Sequence, residues 1–296
     1  MQTVRVRIPA AELEAKRIAD VLERAFEDDG FPVTIFESSA DGKTWTAEVL
    51  VFDLEPDEAA DLVRDRVGSD GFAAPVHAEI LPDQNWVAKS LEGLAPVRAG
   101  RFVVHGAHDR GKVPAGCLGL EIEAALAFGT GHHGTTAGCL EEISRLMTRR
   151  QFHRVLDLGT GTGVLAIAVA RLTRQFVLAT DIDPVATQTA AENARLNGVG
   201  PLVSTFTANG MDDRRFGEFG PFDLVVANIL ARPLMKMAKS IAAQMTPVST
   251  LVLSGLRVED GPRILFAYRA QGFHLVKRGE KNGWLTLTLT RGQQDA

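Results

Sequence analysis

VLDLGTGTG, residues 155–163, decides the fold of the larger part of this chain. A short apolar run, broken by Asp157, stops at Gly159. Glycines recur at 161 and 163, and the apolar stretch VLAIAVARL (164–172) follows with helical character. A buried strand that turns through glycines into a helix is the entry of a doubly wound α/β unit. Glycine accepts positive φ and lets the backbone approach a ligand, and the helix start offers unpaired N–H groups. A dinucleotide fingerprint, GxGxxG, would need glycine at 164, where this chain has valine. Asp157 can orient the loop or meet a cationic ligand; a pyrophosphate would not favour an acid so near.

Working downstream, FVLATDI (176–182), FDLVVANIL (222–230) and STLVLSGL (249–256) are further apolar strand runs. PVATQTAAENARLN (184–197) and RPLMKMAKSIAAQM (232–245) read as helices among them. Such alternation predicts a parallel sheet covered on both faces. Asp181 ends the second strand, where an acid accepts hydrogen bonds from two ribose hydroxyls. Asp183 suits an N-cap and Pro184 the first helical turn. Asn228 closes an apolar run at a carboxyl strand end. A buried amide there needs partners, either backbone or a cofactor or substrate amine. In GFHLVKRGEKNGWLTLTLTR (272–291) two strand runs flank Asn282–Gly283, predicting a hairpin with an antiparallel last strand.

Upstream lies AFGTGHHGTT (127–136), followed by the amphipathic stretch AGCLEEISRLM (137–147). It reads as a loop beside the glycine turn of the first strand, with Thr135 or Thr136 capping the helix. Its adjacent histidines lack the i, i+4 spacing of a helical metal pair, and no acid or cysteine stands near, so no metal is expected.

The first eighty residues differ. TVRVRIP (3–9), FPVTIFESS (31–39), WTAEVLVFD (45–53) and FAAPVHAEIL (72–81) are strand-like; residues 10–29 and 55–70 are amphipathic helices. The order β-α-β-β-α-β is the ferredoxin-like pattern, an α+β module over 1–82. Residues 83–105 read as a linker with one short helix and Trp86 as a packing anchor, leaving 106–296 for the doubly wound domain.

Composition narrows the class. The 296 residues are 45% hydrophobic and 23% charged, enough for two cores. A net charge of -5 argues against a generally basic nucleic-acid binder. Cys117 and Cys139 stand outside any CxxC or Cys/His cluster and read as reduced thiols. MQTVRVRIPA shows no signal-peptide core, and no apolar run nears the ~20 residues of a membrane span. The expectation is a cytoplasmic protein without membrane contact.

The strand with GxGxG, the acid ending strand two and the polar residue ending strand four together resemble class I S-adenosylmethionine-dependent methyltransferases. Relatives that methylate DNA bases or glutamine amides carry Asn/Asp-Pro-Pro-aromatic after strand four; here the run is Asn228-Ile229-Leu230-Ala231. With LAFGTGHHGTT (126–136), DIDPVATQTAAENARLNG and VVANILARPL added, the chain resembles the PrmA family. These are bacterial methyltransferases acting on protein eleven of the large ribosomal subunit. The likeness covers nearly the whole chain. It implies an N-terminal substrate-recognition domain, S-adenosylmethionine as cofactor and that ribosomal protein as partner, with lysine and N-terminal amines methylated. It also implies a monomer making no sequence-specific nucleic-acid contact. It places cofactor contacts on Thr136, Gly159, Asp181 and Asn228, with Phe128, Thr130, Asp157 and Gly161 in the same pocket. Asn228 and His132 are the catalytic candidates. This chain has Gly134 where the family usually has proline, Thr160 where it often has cysteine, and Glu123-Ala124-Ala125 where Asp-Pro-Gly is common. An NAD-dependent oxidoreductase and a non-catalytic adaptor are the rival classes.

Overall fold

The computed structural model describes residues 3–26, 29, 31, 33–38, 44–67, 75–80, 96–122 and 134–292. Its contacts divide the chain into two units, Met1–Gln84 and Asn85–Ala296.

In the first unit, alternation of apolar and charged residues dictates a sheet with one covered face. The strands are β1 (Thr3–Ala10), β2 (Val33–Glu37), β3 (Trp45–Phe52) and β4 (His77–Ile80), in spatial order β2-β3-β1-β4 and antiparallel throughout. Helices Glu12–Ala25 and Pro56–Val67 connect them, which is the predicted β-α-β-β-α-β order. Val4, Val6 and Ile8 of β1 and Ala47, Val49 and Val51 of β3 share one face and are fully buried with Ile18, Leu22 and Val63. On the other face Arg5 pairs with Glu79, and Arg7 with Glu48. Boundaries differ from the sequence reading: β1 continues through Pro9 to Ala10. The first helix begins after Pro9-Ala10-Ala11, and β4 begins at His77.

The second unit contains a small sheet, two of whose three strands lie in the stretch that the sequence assigns to linker. β5 (Val97–Ala99), β6 (Phe102–His105) and β7 (Leu118–Glu121) form three strands in that order. Ala99, Phe102, Val104 and Leu120 are buried in one core with Leu140 and Ile143. The linker assignment through residue 105 is therefore corrected. Strands of three and four residues are too short to show a period, and tertiary packing alone settles them.

The main sheet has seven strands: β8 (Val155–Leu158), β9 (Val177–Asp181), β10 (Val203–Thr207), β11 (Phe222–Asn228), β12 (Met245–Arg257), β13 (His274–Lys281) and β14 (Trp284–Arg291). Their order is β10-β9-β8-β11-β12-β14-β13. Pairs from β10 to β12 are parallel; β14 runs antiparallel to both β12 and β13. The hairpin turns at Asn282 (φ 51°) and Gly283 (φ 78°), the two positive φ values of a type I′ turn. Apolar cores lie on both faces: Val155 of β8 belongs to one, Leu156 and Leu158 to the other.

Three expectations change. β10 was not foreseen, because VSTFT is a hydroxyl-rich edge strand without apolar continuity. The helix expected over 232–245 is two short ones, Ala231–Lys236 and Ala238–Ala243, broken at Met237, and β12 already begins at Met245. The helix after the AFGTGHHGTT stretch starts at Gly134, so Thr135 and Thr136 lie within its first turn rather than capping it.

Candidate active site

The candidate residues gather where β8, β9 and β11 end. Gly159 leaves β8 with φ 74° and donates its N–H to the Thr180 carbonyl at 2.8 Å, tying the loop to β9. Gly161 and Gly163 also hold positive φ, 54° and 83°. A Cβ at Gly163 would meet Ala190 Cβ at 2.9 Å, so side chains are excluded there by both conformation and space. The loop thus presents backbone rather than side chains.

Asp181, at the end of β9, accepts the Gly161 N–H at 2.8 Å and the Asp183 N–H at 3.1 Å. A carboxylate offers about four acceptor positions, so two backbone donors leave capacity for a diol. Asp183 accepts from Val185 N at 2.8 Å, the N-cap bond expected of it, with Pro184 opening the helix. Ile182, between the two acids, is 66% exposed. An isolated apolar side chain beside a diol-type acceptor suits one face of a nucleoside.

Asp157 lies behind the loop, 1% exposed. Its Oδ2 accepts from Thr160 Oγ1 at 2.7 Å and from the Ala166 N–H at 3.0 Å. It thereby binds the loop to the first turn of the Val164–Thr173 helix. Burial pushes its carboxyl up to about 6, against the hydrogen bonds from Thr160 and Ala166 that favour the charged form. Its Oδ1 and the neighbouring Thr180 Oγ1 are buried without a hydrogen-bond partner.

Asn228 ends β11 and donates from Nδ2 to Thr136 Oγ1 at 3.3 Å, across 92 positions of sequence. Thr136 is 1% exposed. Its helix is anchored on the terminal hairpin by Glu142, which accepts from Lys277 and, at 2.9 Å, from Thr288. Burial would raise the Glu142 carboxyl, yet Arg145, Lys277 and Thr288 together hold it below the ordinary range. Gly134 and Gly138 bring the same helix onto the hairpin: a Cβ would lie 2.7 Å from the Lys281 carbonyl oxygen at the first, and 2.2 Å from Thr286 Oγ1 at the second. Phe128, Thr130 and His132 lie outside the described residues. Among the described residues no cluster of His, Cys, Asp and Glu could hold a metal, and no helix is long and apolar enough to cross a membrane.

Sequence reasoning missed one element of this site, the packing around Ile229. Its side chain lies over Gly159 and its peptide over Gly255. The signal was faint: an apolar residue beside Asn228, a glycine just after one neighbouring strand and a glycine within the other.

The family model described as "Ribosomal protein L11 methyltransferase (PrmA)" matches residues 5–292. The chain belongs to this family. Relatives carrying that description include one from Sinorhizobium fredii, 48% identical over 98% of this chain and all of the relative. Another, from Mesorhizobium japonicum, is 48% identical over 98% of this chain and 99% of the relative. A solved structure described as a ribosomal protein L11 methylase, from Lactobacillus delbrueckii subsp. bulgaricus, is 28% identical with a TM-score of 0.61. It covers 68% of this chain and 100% of that one. Membership extends through the β-α-β-β-α-β unit as well as the seven-stranded sheet, since the match begins within β1.

Proposed function

We propose that the chain transfers methyl groups from S-adenosylmethionine to lysine and N-terminal amines of ribosomal protein L11, acting in the cytoplasm as a monomer. The observation that carries this reading is the family match through both units, residues 5–292.

The site's chemistry supports the cofactor. Gly159, Gly161 and Gly163 offer a bare backbone, and Asp181 retains acceptor capacity for the ribose hydroxyls. Thr136 and Asn228 form the opposite edge. When bound, S-adenosylmethionine supplies an electrophilic methyl on a sulfonium, and an amine nitrogen displaces the thioether in line. No covalent step falls to the protein, so positioning is its main task. Asn228 suits this: its Nδ2 is engaged by Thr136, leaving its carbonyl oxygen to accept from the incoming amine. A lysine near its ordinary pKa of ~10.4 must first lose a proton, at about 4.6 kcal/mol at pH 7. A desolvated pocket lowers that cost. His132 is retained as a candidate base. The first unit recognises the ribosomal protein, with no sequence-specific nucleic-acid contact.

Mass spectrometry of ribosomal protein L11 after incubation with the chain and S-adenosylmethionine tests the proposal. Mass increments in steps of one methyl group on lysine or N-terminal amines are expected; an unmodified spectrum rejects it.

A further inference from the structure

Three strands lie side by side in the order β8-β11-β12, and Ile229, just beyond the middle one, meets a glycine from each neighbour. Gly159 follows β8, Ile229 follows β11, and Gly255 sits in β12 at φ 79°, where its register with β14 shifts between Leu253 and Leu256. A Cβ on Gly159 would lie 2.2 Å from Ile229 Cγ2. A Cβ on Gly255 would lie 2.4 Å from the Ile229 carbonyl oxygen and 2.9 Å from its nitrogen. Both separations fall well inside van der Waals contact. The two glycines therefore form a slot, with Ile229 as the part that fills it: its methyl on one side, its peptide on the other.

The residue held by this slot is Asn228. Its backbone is set by the parallel register with Ser254 on β12, while Ala227 pairs with Leu158 on β8. Immediately beyond, the chain leaves the sheet, and nothing in the local sequence stiffens it. Relatives with Asn/Asp-Pro-Pro at this point use ring closure to fix φ. Here Ile229-Leu230 has no such restraint, and Leu230 is 46% exposed. The constraint must come from packing, and the Ile229 contacts on both sides supply it.

We infer that Ile229 is a positioning residue: its Cγ2 methyl, seated on Gly159, and its peptide, seated on Gly255, hold the Asn228 amide against Thr136 and toward the reacting amine. The inference rests on the proposed role of Asn228 in amine positioning. It does not make Ile229 a contact of the substrate. Its atomic basis is β-branching, because Cγ2 is carried directly on Cβ. Valine keeps that methyl in a smaller side chain. Leucine keeps the volume but moves the branch to Cγ.

The test uses full-length Asn228→Ala, Ile229→Val, Ile229→Leu and Ile229→Thr. Steady-state transfer to ribosomal protein L11, S-adenosylmethionine affinity by calorimetry and melting temperature are measured for each. Misplacing a positioned group by ~1 Å costs up to about 100-fold in rate. Ile229→Leu should therefore lower kcat by about tenfold or more while cofactor affinity stays within about threefold. Ile229→Val and Ile229→Thr, which keep the Cγ2 methyl, should stay within about threefold of the parent kcat. A residue acting only through volume would rank leucine above valine, and that order overturns the inference. So does a leucine defect carried wholly by cofactor affinity. If Ile229→Leu does not fold, Ile229→Thr decides: a tenfold loss in that folded variant overturns the inference, and retained activity supports it. If Asn228→Ala leaves kcat unchanged, the underlying reading of Asn228 fails, separately from any result at 229.

Discussion

On the open face of the four-stranded sheet, Arg5 meets Glu79 and Arg7 meets Glu48, and the charges cancel within the unit. At the carboxyl end of the seven-stranded sheet, Asp157 Oδ1 and Thr180 Oγ1 are buried without partners, and Asp181 is only partly engaged. Among the described residues, no buried side-chain atom lacking a partner falls in the first unit. Burying polar atoms unpaired costs free energy. The first sheet avoids this cost, whereas the second bears it behind the glycine loop, next to an Asp181 whose carboxylate is only partly engaged. The ion pairs of the first unit thus serve its own fold, while Asp181 in the second keeps acceptor capacity beyond its two backbone bonds.

The widest test of that division is to remove residues 1–80. Cofactor affinity should remain within about twofold, because every candidate cofactor contact lies beyond residue 85, while transfer to ribosomal protein L11 should fall below detection. Full transfer by the truncated chain would erase the division of labour. Asp181→Ala comes next. Losing charge-assisted hydrogen bonds to a diol, at about 1.5–3 kcal/mol each, should weaken S-adenosylmethionine binding by about 100-fold. Calorimetry showing unchanged affinity would remove Asp181 from the site.

Asp157→Asn probes the buried end of the comparison. The parent carboxyl rises from an ordinary value near ~3.9 to about 6 in the fold. Below ~3.9 both folded and unfolded chains are protonated, and the fold carries no penalty. Between there and about 6 the unfolded chain ionises first, so stability falls as pH rises, by up to on the order of 3 kcal/mol. Urea unfolding across about pH 4 to 6.5 should show this slope in the parent and lose it in Asp157→Asn, whose amide oxygen still accepts from Thr160 and Ala166. An identical slope in both proteins would assign the pH dependence to other groups. The smallest effect belongs to the first unit. Glu79 is 55% exposed, so Glu79→Gln should cost under about 1 kcal/mol and leave cofactor affinity untouched. A larger change in affinity would mean that the two sheets are not separate in function.

What the sequence disclosed depended on distance along the chain. The β8 strand and its glycines, the Asp183 cap, the Asn282–Gly283 hairpin and the β-α-β-β-α-β order are local signals, and all appear as read. β10 stayed hidden because Ser204, Thr205 and Thr207 interrupt its apolar pattern at a sheet edge. Phe102–His105 looked like linker because four residues have no measurable period. Asp157 is open to both a ligand and a loop reading in the sequence, and its Thr160 and Ala166 bonds could not be read there. The Thr136–Asn228 hydrogen bond joins segments that no local rule connects, although Asn228 stood out by its place at a strand end and Thr136 as a candidate cap. Ile229 was illegible for a related reason. Its meaning arises only when three strands lie in register and bring two glycines to its sides.

That arrangement also sets how the chain can drift. Positions 159, 229 and 255 are far apart in sequence but meet in space. A side chain gained at either glycine would strain a positive φ, and at Gly255 it would also meet the 229 peptide, which no change of side chain at 229 moves. Both glycines should therefore stay nearly invariant among homologous sequences, while 229 is confined to side chains that fit against Gly159. Natural variation could then reveal the slot without any further coordinates.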